Sequence, residues 1–190
     1  VPAVIALLAH FWAKSERLTA VRWLGIALGF AGLAIIFNDG WRELVQPDHL
    51  FGVFLTVGAV FLWAIGTVYA KRFSTENSSP VIDSGLQLLA GGLTMFFVSL
   101  FYDFFKPLEI NTLGWLSLGY VIVFGSVLAM TAYLFALKNL PATIASMYTY
   151  INPMIAILLG VLYLGEKMDG PIVLGMAVTL AGVYLVNRRV

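Results

Sequence analysis

The sequence predicts an all-α, polytopic membrane protein built from inverted five-helix repeats, with seven transmembrane helices present. Three observations indicate this fold class: the composition, a series of long apolar segments, and a motif that occurs twice. Of the 190 residues, 61% are hydrophobic and 11% are charged. Soluble domains are roughly 45–50% apolar and about 25% charged, so these residues could not cover the surface of a water-soluble fold.

The charge and the residue types exclude several functions. The net charge is +1, and the basic residues are spread over the loops, so the sequence predicts no nucleic-acid partner. The chain has no cysteine, which excludes disulfides, thiolate nucleophiles and cysteine-ligated metals. The sequence predicts no cofactor and no metal site.

Apolar runs divide the chain into seven segments joined by short polar connections. Backbone groups in lipid must be hydrogen-bonded internally, so each run is predicted to be a helix. The first is short, and we expect it to be the remainder of a truncated helix. The segments are Val1–Ala13, Ala20–Phe37, Phe51–Ala70, Val81–Phe101, Leu113–Leu137, Thr143–Leu164 and Pro171–Asn187.

The basic residues predict the orientation of these helices. Because consecutive segments cross in opposite directions, their ends divide between two sides of the membrane. Three basic residues fall on one side, Arg42, Lys106 and Lys167. Eight fall on the other: Lys14, Arg17, Arg22, Lys71, Arg72, Lys138, Arg188 and Arg189. The positive-inside rule therefore predicts a cytoplasmic C-terminus.

One pattern of residues occurs at both ends of the chain. Its first copy contains Pro2, Glu16, Leu24, Gly25, Ala27, Ala31 and Gly32, and its second contains Pro153, Glu166, Leu174, Gly175, Ala177, Ala181 and Gly182. From the glutamate onward the offset is constant at 150 residues, whereas the stretch from proline to glutamate is one residue longer in the first copy. The copies lie five segments apart, and an odd separation predicts opposite directions across the membrane.

This repeat predicts the organisation of the chain. Residues 1–38 would be the last two helices of a first repeat, residues 39–50 a connecting loop, and residues 51–190 a complete five-helix second repeat. Three helices of the first repeat are then expected to be missing from the front.

The sequence resembles the drug/metabolite transporter superfamily, in particular its ten-helix EamA type. The resemblance depends on the order and spacing of its motifs along nearly the whole chain. They are Pro2 with Glu16-Arg17-Leu18-Thr19, Gly25 and Gly29-Phe30-Ala31-Gly32; Trp63-Ala64 with Lys71-Arg72; Leu140-Pro141-Ala142-Thr143-Ile144-Ala145-Ser146; and Asn152-Pro153 with Leu164-Gly165-Glu166, Gly175 and Ala181-Gly182-Val183-Tyr184.

The resemblance implies two five-helix repeats, cytoplasmic termini and transport of small metabolites or drugs, often by export. It also implies residence in the plasma (inner) membrane of a bacterium, with the lipid bilayer and a small-molecule substrate as partners. The alternatives are a nucleotide-sugar carrier, or a partner subunit or fragment that does not itself transport. An intramembrane enzyme is disfavoured, because the sequence has two histidines, predicted on opposite sides, and neither H-E-x-x-H nor G-x-S-x-G.

Polar and aromatic residues at helical spacing within the last five segments predict a substrate pathway. Trp63 lies mid-segment and matches a tryptophan of the family's cavity-facing helix. Pro153 frees the carbonyl of Thr149 from its helical hydrogen bond, as cavity-lining helices in membranes tolerate. The predicted pathway residues are Trp63, Gln87, Ser126, Tyr133, Ser146, Tyr150, Asn152 and Pro153.

Each of these residues also has a structural interpretation. Trp63 could be a bulky residue that faces lipid, the Ser126 and Ser146 hydroxyls could bond across helix interfaces, and Gln87 could join one helix to another. Tyr133 and Tyr150 could pack in a core, and the Asn152-Pro153 pair, expected at a bend, could form a fixed kink.

Two further features carry predictions. The small-residue faces Gly25–Gly32 and Gly175–Gly182 are interpreted as scaffold packing, with a homodimer as the lesser alternative. Glu16 and Glu166 are expected to be solvated or to cap the next helix in the chain, with gating as the alternative.

Overall fold

The computed structural model describes residues 1–14, 16, 18–40, 46–75, 77–102 and 110–188. These residues form seven helices, one for each predicted segment, which confirms the all-α prediction. We number them in chain order: α1 Pro2–Trp12, α2 Ala20–Ile36, α3 Pro47–Phe73, α4 Pro80–Tyr102, α5 Thr112–Asn139, α6 Ala142–Leu164 and α7 Gly170–Asn187. Four of the basic residues used to predict the orientation lie outside the described residues: Arg17, Arg42, Lys106 and Arg189.

Five of the described helices, α3 to α7, are long and apolar enough to cross a membrane. α1 and α2 are apolar but shorter. α3 begins at Pro47, four residues before the predicted start at Phe51. Proline is favourable at the first helical position and Asp48 suits the positive end of the helix dipole, which explains why the helix continues beyond the apolar run.

Local sequence signals explain where several helices begin and end. The Thr19 hydroxyl accepts a hydrogen bond from the Arg22 amide at the start of α2, and the Asn111 side chain accepts one from the Gly114 amide at the start of α5. α6 ends at Leu164 and is followed by Gly165, whose φ of 67° lies in the left-handed region that glycine adopts without strain. These caps satisfy backbone groups that the helices themselves leave unpaired.

Three of the helices are irregular. Residues Leu8–Trp12 of α1 and Val121–Leu128 of α5 are π-helical. α6 is interrupted after its first turn, so we call Ala142–Ala145 α6a and Tyr148–Leu164 α6b. Helical periodicity in the sequence does not predict any of these features.

The π-helix of α1 explains the one-residue difference between the two copies of the repeated pattern. In this segment the Ala13 amide bonds to the Leu8 carbonyl, five residues earlier, so the turn holds one residue more than an α-helical turn. Equivalent backbone contacts then recur in both copies: the Glu16 amide bonds to the Ala9 carbonyl at 3.4 Å, and the Glu166 amide to the Gly160 carbonyl at 3.3 Å. The extra residue is absorbed before the glutamate.

The chain contains two compact units, which we describe separately. The first comprises residues 1–73 and 140–190 and holds α1, α2, α3, α6 and α7. Its most extensive helix contact joins α2 to α7, while α1 packs on α3 and α6a. A cluster of buried side chains lies between these helices: Ala6, Ile26, Met147, Tyr150 and Val186.

The second unit comprises residues 74–139 and holds α4 and α5. The Ser84 and Thr131 hydroxyls hydrogen-bond at 2.8 Å between the two helices. The Lys138 ammonium at the end of α5 donates to the Ser78 carbonyl, just before α4, at 2.7 Å. Hydroxyl pairs of this kind are a usual means of joining helices in lipid.

Candidate functional site

The predicted pathway residues fall in both units. Trp63, Ser146, Tyr150, Asn152 and Pro153 belong to the first, whereas Gln87, Ser126 and Tyr133 belong to the second. We therefore report the surroundings of each residue within its own unit.

On α6 the structure separates the predicted residues onto two faces. Ser146 and Tyr150 are buried, together with Thr143 and Met154, at the spacing of one helical face. Asn152 is exposed and Pro153 is partly exposed. The structure thus brings Ser146 and Tyr150 together and places Asn152 away from them.

Tyr150 occupies a defined place between α6b and α2. Its side chain is 3% exposed, and its hydroxyl donates to the Ile26 carbonyl at 3.2 Å. Its ring lies against Gly29, where a Cβ atom would approach the ring carbon Cδ2 to 2.7 Å. The absence of a side chain at Gly29 therefore makes room for the tyrosine.

Ser146 lies at the interruption of α6. Its hydroxyl donates to the Thr143 carbonyl at 2.8 Å, and the Thr149 hydroxyl donates to the Ser146 carbonyl at 2.9 Å. The Met147, Thr149 and Tyr150 amides each bond three residues back. Hydroxyl groups that compete for backbone carbonyls, together with these tighter bonds, account for the break.

The Asn152-Pro153 pair, which the sequence places at a bend, lies within α6b, and the interruption of α6 lies earlier, at Ser146 and Met147. α6b continues from Tyr148 through Pro153 to Leu164. Pro153 has no N–H to donate to the Thr149 carbonyl. This carbonyl lies close to the turn whose hydrogen bonds the Ser146 and Thr149 hydroxyls already alter.

The remaining predicted residues are more accessible. Trp63 on α3 is 40% exposed. Gln87 on α4 is exposed, while Ser126 and Tyr133 on α5 are partly exposed, and Ser126 lies within the π-helical segment. π-helical segments occur frequently at functional sites in proteins.

The two small-residue faces pack against each other, a pairing that the predicted scaffold packing did not specify. A Cβ atom at Gly25 would lie 2.7 Å from the Gly182 carbonyl oxygen, and one at Gly32 would lie 2.6 Å from that of Gly175. Because the contacts move backward along α7 as they move forward along α2, the helices are antiparallel. Glycine at these positions lets the two backbones touch.

Sequence reasoning missed the partner of Glu16. It was expected to be solvated or to cap the next helix, α2, but its carboxylate accepts hydrogen bonds from the Ala142 and Thr143 amides at the start of α6a. Thr19 already caps α2, which leaves the glutamate free to reach another helix. The occurrence of a glutamate at the same place in both copies was the signal in the sequence.

The sequence model of the EamA-like transporter family matches residues 50–188. The chain is 29% identical over 194 residues to the uncharacterized inner membrane transporter YedA of Escherichia coli, covering 96% of this chain and 61% of the relative. It is 30% identical over 203 residues to the uncharacterized transporter sll0355 of Synechocystis, covering 99% and 60%.

A WAT1-related, chloroplastic protein of Arabidopsis thaliana is 30% identical over 197 residues, with coverage of 98% of this chain and 46% of the relative. The chain thus spans about 60% of the length of the bacterial relatives named here.

Proposed function

The chain belongs to the EamA-like transporter family, an integral membrane family of transporters and not of enzymes, and from this premise we propose that the protein exports small metabolites or drugs. The proposed mechanism is alternating access, in which two inverted repeats rock against each other about a site near the middle of the membrane. The proposed location is the plasma membrane of a bacterium, with the C-terminus in the cytoplasm.

The reciprocal packing of α2 and α7 is the observation that carries this proposal. The repeat offset of 150 residues relates Gly25 to Gly175 and Gly32 to Gly182. A Cβ atom at Gly25 would lie 2.7 Å from the Gly182 carbonyl oxygen, and one at Gly175 would lie 2.7 Å from the Gly32 carbonyl oxygen. When each residue is replaced by its equivalent in the other copy, the contact of Gly25 with Gly182 becomes the contact of Gly175 with Gly32.

Such reciprocity is what a two-fold axis between the copies produces. Since α2 and α7 are antiparallel, an axis relating them runs across the helices, and for spanning helices this direction lies in the membrane plane. That arrangement supports inverted repeats, which in transporters are associated with alternating access.

The pathway side chains proposed from the sequence suggest the class of substrate. Trp63 and Tyr133 offer apolar faces, and Gln87 and Asn152 offer neutral hydrogen-bonding groups. Neutral groups of this kind suit amino acids, aromatic amines and related drugs more than they suit phosphorylated substrates, which favour arginine or lysine partners.

An export assay with the full-length gene product tests the proposal. Cells expressing it should release more of at least one amino acid or amine into the medium and should tolerate higher concentrations of its toxic analogues. Counterflow of the same compound in proteoliposomes should follow. If the abundant, folded protein supports neither export nor counterflow across such a panel, the proposed function is wrong.

A further inference from the structure

The connection between α1 and α2 reaches across the first unit to the start of α6. One carboxylate oxygen of Glu16 accepts from the Ala142 amide, and both oxygens lie 3.4 Å from the Thr143 amide. Glu16 is partly buried, and Ala142 and Thr143 are buried. A charged acceptor bonded to backbone amides forms a stronger hydrogen bond than a neutral one, so this contact is a firm attachment between the connection and α6a.

The element that Glu16 holds is a single turn. α6a spans Ala142–Ala145 and is separated from α6b by the irregular residues Ser146 and Met147. A turn of this length has little helical stability of its own. Its position therefore depends on what its amides contact.

The position of α6a also affects the buried hydroxyl of Thr143. Within the part of the chain that the structure describes, the buried Thr143 hydroxyl has no hydrogen-bond partner. Buried polar groups are almost always paired, and an unpaired one raises the free energy of the state that contains it. The free energy of the unpaired hydroxyl therefore favours a different position of α6a in which the hydroxyl is paired. The Glu16 contact, in contrast, favours the observed position.

The backbone of the connection is held by a group that can bond in two ways. The Nδ1 atom of His10 lies 3.0 Å from the Glu16 carbonyl oxygen and 3.3 Å from the Leu18 amide nitrogen. This atom donates to the carbonyl when it carries a proton and accepts from the amide when it does not. The Glu16 carbonyl and the Leu18 amide are therefore alternative hydrogen-bond partners of the His10 side chain.

The second copy of the repeated pattern provides a contrast. The exposed Glu166 carboxylate folds back onto Gly160, where an added Cβ atom would meet it. The backbone position equivalent to Gly160 is held by Ala9, which carries a Cβ atom where Gly160 has none. Glu16 is thereby excluded from the pose of Glu166 and extends to α6a instead.

We propose that Glu16 is a positioning residue for transport, whose carboxylate holds α6a in its observed position. The carboxylate must leave the Ala142 and Thr143 amides when the pathway opens on the side of the membrane where α6 begins. The proposal rests on the proposed transport function. Glu166, which makes no such contact with a helix start in the described residues, does not share this role.

Thiol labelling tests the proposal without a substrate, because these 190 residues contain no cysteine and the full-length protein without the reporter cysteine gives the background labelling. Ala145→Cys places a thiol at a buried position of α6a, leaves the Ser146 and Thr149 hydroxyls intact and serves as the reporter. The full-length protein in membrane vesicles is treated with a water-soluble maleimide, and the labelling rate is normalised to labelling in denaturant. Glu16→Gln, which keeps the shape and removes the charge, should accelerate labelling about five- to tenfold.

Two matched variants complete the experiment. Glu166→Gln in the same Ala145→Cys background should leave the labelling rate unchanged. Glu16→Asp, which keeps the charge on a shorter side chain, should restore at least part of the protection at equal membrane abundance. Equal labelling in the Glu16→Gln and Glu166→Gln proteins, or no recovery in the Glu16→Asp protein, would overturn the proposed role of Glu16.

The outcomes also separate this proposal from the transport function. One outcome is faster labelling in the Glu16→Gln protein together with no export and no counterflow by the parent protein. This outcome would support the role of Glu16 in holding α6a and would contradict the transport function. Transport by the parent protein with unchanged labelling in the Glu16→Gln protein would support the transport function and contradict the role of Glu16.

Discussion

The Tyr150 hydroxyl donates to the Ile26 carbonyl at 3.2 Å and so connects α6b to α2. Both residues are 3% exposed, and both belong to the buried cluster of the first unit. The contact joins two helices that are separated by more than a hundred residues, and it places the tyrosine ring against Gly29.

Replacing this tyrosine tests how much the hydrogen bond contributes. Tyr150→Phe keeps the ring and removes the hydroxyl, so we expect a loss of roughly 0.6 kcal/mol of stability, the average for polar contacts between membrane helices. Gly29→Ala should cost more, about 1–3 kcal/mol, because the added methyl group meets the ring in a packed core. Unfolding in mixed detergent micelles measures both changes. Equal stability of the Gly29→Ala protein and the parent would contradict the packing described here.

The packing of α2 on α7 makes a second prediction. Gly32→Ala should lower stability by about 1–3 kcal/mol, because its Cβ atom would lie 2.6 Å from the Gly175 carbonyl oxygen and against the Thr179 hydroxyl. Gly58→Ala is the matched control, since nothing lies within 4 Å of its added Cβ atom. The melting temperature in detergent measures both, and a control as unstable as the Gly32→Ala protein would show a general intolerance of larger residues.

The helices themselves follow directly from the sequence, whereas their irregularities do not. Each apolar segment corresponds to one helix because lipid leaves a spanning backbone no other way to pair its amides and carbonyls. The π-helix of α1 depends on a single inserted residue, which is visible only as a difference between two similar segments. The interruption of α6 depends on hydroxyls at Ser146 and Thr149, and the same residue types also occur within unbroken helices such as α4.

The candidate site was less accessible to sequence reasoning. Periodicity places Ser146 and Tyr150 on one face but does not indicate whether that face meets a cavity or another helix. The contact of Glu16 with Ala142 and Thr143 spans more than 120 residues, and no local signal encodes its partner. Only the duplicated glutamate indicated that the position was special, and the two copies turn out to differ because Ala9 and Gly160 differ in size.

Orientation in the membrane can be measured with the same cysteine-free chain. Cysteines placed at Asn38 and Tyr102 should react with a membrane-impermeant maleimide added outside the cell, because the positive-inside rule places these loops opposite the basic ones. A cysteine at Ser78 should react only after the cells are permeabilised. The reverse pattern would place the C-terminus outside.

The predicted pathway residues make the last prediction, since a residue that contacts substrate affects transport without affecting folding. Trp63→Ala and Gln87→Leu should each lower export by the full-length protein at least tenfold while membrane abundance stays within about 20% of the parent. Trp63 is 40% exposed and Gln87 is exposed, so neither change opens a large core cavity, and surface changes of this kind usually alter stability little. Export of the selected compound, normalised to protein in the membrane, is the measurement.

Ser84→Ala, which breaks the hydroxyl pair with Thr131, is the control for a purely structural loss. It should reduce stability modestly and leave the rate per folded molecule unchanged. If Trp63→Ala and Gln87→Leu reduce abundance in proportion to export, both residues serve packing.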